Sequence, residues 1–212
     1  MWPLVQTGAG RLGGVMRIEM LVFDGVDEMD VMGPFEVWSH ASKRTALELA
    51  LVGLDGPVEV TGLNTLQFKA PEGLGTPDAL FVPGGGWMNR AEKGSWAEAR
   101  RGVMTARIAE LAPTLSWIGS VCTGSMLLAE AGLVKGRAAT TNRGAWAELE
   151  TFGAELKSNR VVDDGALVTS GGITSGIDLA LHIVEREYGV DVADGIAATM
   201  EYTRDRDVYI GS

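Results

Sequence analysis

The sequence predicts an α/β protein with a mostly parallel central sheet and helices on both faces. Three observations carry this. Short apolar stretches alternate with longer stretches at helical spacing, the pattern of βα units. Several of the 29 glycines cluster at predicted strand ends, where tight βα turns need them. Leu115–Val121 is apolar or small at nearly every position, as in a strand covered on both faces.

In order, Arg17–Phe23 reads as a first strand, Asp24–Asp30 as an acidic loop and Val31–Ser42 as a helix. Pro34 then falls in that helix's first turn, where proline is tolerated. Leu47–Leu54 is a second strand, and Val58–Thr61 with Thr65–Lys69 a short edge hairpin. Ala79–Val82 is a third core strand ending in Pro83-Gly84-Gly85-Gly86, and Trp96–Ala112 a helix. Leu115–Val121 and a helix over Ser125–Leu133 follow, with Leu127, Leu128 and Ala131 at helical spacing. Arg137–Thr141 is a short extended run and Arg143–Phe152 a short helix. Arg160–Asp163 and Leu167–Ser170 pair across the turn signal Asp164-Gly165. Thr174–Tyr188 is an amphipathic helix and Val190–Met200 a last short one.

The 212 residues suit one domain, placed at 17–212, with 1–16 a disordered extension. Gly8–Gly13 matches G-x-G-x-x-G, but no strand precedes it and no helix follows, so it is not read as a dinucleotide site. A net charge of −10 argues against nucleic acid and anionic membrane surfaces as partners. One cysteine excludes an internal disulfide framework and suits a reducing, cytoplasmic compartment. No apolar run is long enough to span a membrane, and no metal or cofactor motif is found.

In such sheets ligands bind beyond the carboxyl ends of the strands. Three loops should meet there: Asp24–Asp30, Gly84–Gly86 and Cys122–Gly124. Cys122, the one cysteine, falls between a buried strand and a helix. A lone cysteine is ordinarily a small buried hydrophobe. The strand–Cys-Thr-Gly–helix arrangement instead favours a nucleophile elbow. The free N–H groups at the helix start favour thiolate, and the Thr123 N–H points where an oxyanion could form. Gly84–Gly86 could equally be a plain βα turn, Asp30 an N-cap, and Trp87 and Met88 either pocket lining or packing. Asp27 and Glu28 are expected to face water. His40 and His182 fall inside predicted helices, as ordinary surface or packing residues.

Four motifs together resemble the ThiJ/PfpI superfamily: Asp30-Val-Met-Gly-Pro-Phe-Glu-Val37, Val82-Pro-Gly-Gly85, Ser120-Val-Cys-Thr-Gly-Ser125 and Thr169-Ser-Gly-Gly-Ile-Thr-Ser-Gly-Ile-Asp178. The resemblance covers roughly Arg17–Met200 and implies a flavodoxin-like three-layer sandwich of the class I glutamine amidotransferase-like type. Within it the motifs look most like the isocyanide hydratases. That implies Cys122 as nucleophile, Asp30 as the acid that manages the proton, and Thr123 in support, converting a small isocyanide to an N-substituted formamide. Gly84, Gly85 and Thr123 would bind the developing charge.

Relatives commonly have His in the run that reads Thr140-Thr141-Asn142-Arg143 here, and the protease-like branch has His where Thr123 stands. A Cys-His triad is therefore not expected. Two alternatives stay open: a thiol redox sensor or carbonyl-stress (glyoxalase- or deglycase-like) protein, and a non-catalytic ligand-binding module like the sensor halves of AraC-type regulators. A homodimer is implied by the resemblance alone.

Overall fold

A computed structural model describes residues 14–211. The sequence reading of residues 1–13, including Gly8–Gly13, lies outside them. The strands are β1 (Met16–Leu21), β2 (Leu47–Gly53), β3 (Val58–Thr61), β4 (Gln67–Ala70), β5 (Glu72–Gly73), β6 (Ala79–Val82), β7 (Trp117–Val121), β8 (Ala138–Ala139), β9 (Glu155–Leu156), β10 (Val161–Asp164), β11 (Leu167–Ser170) and β12 (Val208–Ile210). The helices are α1 (Glu28–Ser42), α2 (Ser95–Arg101), α3 (Val103–Leu111), α4 (Gly124–Glu130), α5 (Trp146–Thr151), α6 (Ser175–Tyr188) and α7 (Val190–Thr199).

The main sheet runs β12-β10-β11-β7-β6-β1-β2-β5. Every neighbouring pair is parallel except the β10–β11 hairpin. Helices α1, α6 and α7 pack together, as do α2, α3 and α4, giving the expected three layers. The central strands β6 and β7 are buried along their whole length, because both faces are covered. Trp38 of α1 packs edge-on against Phe81 of β6, ring centroids 4.9 Å apart. Each such fully buried large side chain contributes on the order of 2 kcal/mol. No helix among the described residues is long and apolar enough to cross a membrane.

Several boundaries differ from expectation for local reasons. Strand β1 starts at Met16, which pairs with Leu47, so the fold begins inside the segment assigned to the extension. Helix α1 starts at Glu28, because Asp27, not Asp30, is the N-cap: its Oδ1 accepts the Met29 N–H at 3.0 Å. Pro34 therefore lies inside the helix and has no N–H to give the Asp30 carbonyl. The crossing with α6 is close there, since a Cβ on Gly176 would sit 2.9 Å from Pro34 Cγ. The expected single helix over 96–112 breaks at Gly102, whose φ of +76° ends α2 and starts α3. The β10–β11 turn is Gly165-Ala166, one residue later than the Asp-Gly signal, with Asp164 opposite Leu167. Strand β12 has no strong pattern of its own; it is fixed by pairing with β10.

Candidate active site

The chain turns at Cys122, between β7 and α4, with φ +55°. That is the left-handed region, unusual for a residue with a Cβ and typically worth about 1–2 kcal/mol of strain. The corner is held from several sides. Cys122 N–H donates to Gly171 O (2.9 Å), and Cys122 O accepts from Thr141 Oγ1 (2.8 Å). Ser120 Oγ and Ser125 Oγ lie 2.8 Å apart and tie strand to helix. Gly124 is required by close approach, as a Cβ there would lie 2.1 Å from Val82 O.

The structure brings Asp30, Gly84, Gly85, Cys122 and Thr123 together. Asp30 is fully buried on α1, and its Oδ2 accepts the Gly84 N–H at 3.0 Å. Its Oδ1 has no nitrogen or oxygen partner among the described residues; the remaining polar neighbour of the carboxyl group is the Cys122 thiol. The Gly85 N–H donates to Thr123 Oγ1 at 2.9 Å. Thus both glycine amides, expected as charge-binding donors, are already committed, one to the acid and one to the threonine. The open reading of 84–86 as a plain turn does not describe them either. A Cβ on Gly84 would lie 2.5 Å from Thr123 N, so this loop must be glycine to touch the elbow.

Ser95, at the start of α2, completes the cluster. Its hydroxyl is 2.7 Å from Gly85 O and 3.1 Å from Thr123 Oγ1. Ser95 has one proton, and the carbonyl can only accept, so Ser95 donates to Gly85 and Thr123 donates to Ser95. Thr123 Oγ1 therefore both accepts and donates, and is not free to cap α4.

The electrostatics correct one expectation. Burial, with the Asp30 charge second, pushes the Cys122 thiol up to about 12, despite the Thr123 and Ile173 amides and the Asn142 side chain aimed at the sulfur. Position at a helix start does not offset 4% exposure. Burial, with Asp27 second, also holds Asp30 well above the usual carboxylate range. Acid and thiol thus form a buried pair that keeps a proton at neutral pH.

Sequence reasoning missed three contributors. Asn142 Nδ2 lies 3.5 Å from Cys122 Sγ. The Ile173 amide, at a residue with φ +50°, also reaches the sulfur. Ser95 carried no motif. The run Thr140–Arg143 carries no sequence signal beyond its lack of His, and the Gly-Gly-Ile run none beyond its family likeness. Glu28, expected in water, is buried and accepts from Asn64 N (2.7 Å), Asn64 Nδ2 (2.7 Å) and Leu66 N (3.2 Å). Trp87 is packing: it stacks edge-on with Trp96 and donates to Glu148 Oε2 at 2.8 Å. His40 pairs with Glu36 and His182 with Asp163, both outside this cluster. Asp178 orders its surroundings by accepting from Arg160, Tyr202 and the Asp205 amide. A polar cleft of about 540 Å³, lined by Thr141, Asn142, Arg143, Trp146, Arg160 and Gly172, opens beside the corner. Among the described residues no group of three or more His, Cys, Asp or Glu side chains could hold a metal ion.

The family profile of DJ-1/PfpI matches residues 16–186, nearly the whole of the described chain. The chain belongs to the DJ-1/PfpI family. It is 36% identical over 190 residues to the isonitrile hydratase of Pseudomonas putida, covering 88% of this chain and 78% of that protein. Among solved structures, a ThiJ/PfpI family protein from Pseudomonas syringae superposes with a TM-score of 0.80 at 29% identity, covering 91% of this chain and 77% of that one. Drosophila melanogaster DJ-1beta matches the fold with a TM-score of 0.76 at 20% identity, over 89% of this chain and 98% of that one. As a DJ-1/PfpI member the chain has a flavodoxin-like fold, and the corner at Cys122 lies within the matched region.

Proposed function

We propose that this protein hydrates small isocyanides to N-substituted formamides, with Cys122 as nucleophile and Asp30 as proton donor. The observation that carries the proposal is the buried acid beside the buried thiol, with one carboxyl oxygen lacking any other partner. The 36% identity to a protein named isonitrile hydratase supports the same reading.

The terminal carbon of R–N≡C accepts a nucleophile and a proton at the same atom. The Cys122 sulfur forms a bond to that carbon while the proton held by the Asp30–Cys122 pair moves to it, giving the thioimidate R–N=CH–S–Cys. Water then adds to the same carbon, with Asp30 taking its proton and delivering it to nitrogen. Collapse breaks the carbon–sulfur bond, releases R–NH–CHO and returns the proton to the pair. The high thiol pKa fits this chemistry. A proton kept until the substrate arrives is the proton the carbon needs. Thr123 and Ile173 amides, aimed at the sulfur, would hold charge as it develops there. Thr123 Oγ1, through Gly85 and Ser95, holds the loop that anchors Asp30.

The test is turnover of a panel of alkyl and aryl isocyanides by the purified protein, followed by formamide appearance. Cys122→Ala should abolish it. No formamide from any member of the panel overturns the proposal. If mild peroxide then converts Cys122 to its sulfinic acid, the redox-sensor reading takes its place.

A further inference from the structure

We infer that Asn142 is a further catalytic residue, a fixed neutral hydrogen-bond donor that holds negative charge on the Cys122 sulfur. The inference rests on the nucleophile assigned above, but its geometry and its test do not depend on the substrate.

An Asn side chain has one acceptor end and one donor end, and which faces which is decided by its partners. Here the cap at Gly144 decides it. The Gly144 N–H, at the first turn after the loop, needs an acceptor and finds Asn142 Oδ1 at 3.0 Å. That leaves the amide Nδ2 facing Cys122 Sγ at 3.5 Å, an ordinary distance for a donor to sulfur. The capping bond therefore aims the donor, and turning the side chain round would give up that cap and set Oδ1 against the sulfur. The third wall is Gly172. A Cβ there would sit 2.6 Å from Asn142 Nδ2, so only glycine leaves room for the amide in this position. The Gly172 φ is not in the left-handed region, so space is the constraint there, not backbone conformation.

The donor matters because little else near the sulfur can hold charge. Asp30, its acidic neighbour, opposes a thiolate, and neither histidine of the chain is in the cluster. The Thr123 and Ile173 amides and Asn142 Nδ2 are the groups that favour it. Asn142 is the only side chain among the three, and a carboxamide does not titrate. It donates identically whether the acid–thiol pair holds its proton or has passed it to the substrate carbon.

Since Cys122 is the sole cysteine, alkylation by iodoacetamide and the ultraviolet absorbance of the thiolate both report on it alone. Asn142→Asp keeps an acceptor for Gly144, preserving the cap, but replaces the donor with an acceptor. Its alkylation rate at fixed pH should fall roughly tenfold or more, with unchanged thermal midpoint, because a hydrogen bond to a charged group is lost. Gly172→Ala leaves Asn142 in place chemically but pushes it off the sulfur, and should slow alkylation in the same direction. Asn142→Gln, with the longer arm, should not restore the rate. If isocyanide turnover is found, kcat should fall with KM little changed in Asn142→Asp. Alkylation of both Asn142→Asp and Gly172→Ala at the parent rate, in folded protein, overturns the inference whatever the substrate proves to be. Slowed alkylation without any isocyanide turnover supports it and leaves only the proposed reaction rejected.

Discussion

Asp30 and Gly84, 54 positions apart in sequence, are joined by a 3.0 Å hydrogen bond from the glycine amide to Oδ2. This bond fixes the carboxyl group on α1 against the end of β6, the neighbour in the sheet of β1, which leads into that helix. It consumes one oxygen and leaves the other for the thiol. The donor role expected of Gly84 toward substrate becomes a positioning role toward the acid.

Asp30→Asn should separate the two functions of the pair. The Asp30 charge is one of the causes holding the thiol high, so its removal lowers the thiol pKa. Alkylation of Cys122 by iodoacetamide should therefore be as fast as in the parent or faster. Isocyanide hydration should drop by about 10²-fold or more, the usual contribution of a positioned proton donor. Parallel rate measurements check this, and a fall in both rates would count against the assigned role.

Thr123→Val removes the acceptor of the buried Gly85 N–H and the donor to Ser95 while keeping the shape. An orphaned buried amide costs about 1–3 kcal/mol, so the urea midpoint should fall accordingly. Hydration should fall as well, because the same loop carries Gly84 and thus the acid. Ser95→Ala should do less: the Thr123 hydroxyl loses its acceptor, but Gly85 O keeps the Ser95 N–H at 2.8 Å and no buried amide is orphaned.

Cys122→Gly should be more stable than Cys122→Ala by about 1 kcal/mol, because glycine adopts φ +55° without the penalty that any Cβ incurs. Both lack the sulfur, so the comparison isolates the backbone. Equal midpoints in urea would mean that the corner is not strained.

Stability should also decline with alkaline pH. The folded thiol is raised to about 12, whereas an unfolded cysteine ionises near about 8.5. Between those values the unfolded chain releases a proton that the folded chain retains, so unfolding becomes more favourable as pH rises. Asp30, also raised, contributes the same sign at lower pH. Denaturation midpoints measured from about pH 8 to about pH 10 should fall in the parent and flatten in Cys122→Ala.

Much of this was legible in the sequence because it is local. The buried run of β7, the Cys-Thr-Gly corner and the glycine loop after β6 each announce themselves within a few residues. Asp30 was legible as a site residue but not as part of a helix, since Asp27, Glu28 and Asp30 all look like caps until Glu28 is seen bonded to Asn64 and Leu66. The break at Gly102 was hidden because one glycine in a helical pattern is tolerated as often as not. The committed amides of Gly84 and Gly85 could not be foreseen, because a backbone N–H has no sequence signature. Asn142 looked like the loss of a histidine. Its value lies in which end faces the sulfur, and that is set by Gly144 and Gly172, not by its own identity.

The residues around Cys122 come from α1, the ends of β6 and β7, the loop after β8 and the loop after β11, so no short piece of chain assembles them. Enclosure there suppresses the thiolate, which reverses the customary link between structure and reactivity. A nascent or unravelled polypeptide would offer its single sulfur to any passing electrophile more readily than the finished molecule does. Folding thus shields the sulfur from indiscriminate chemistry at the same step that seats it beside its acid.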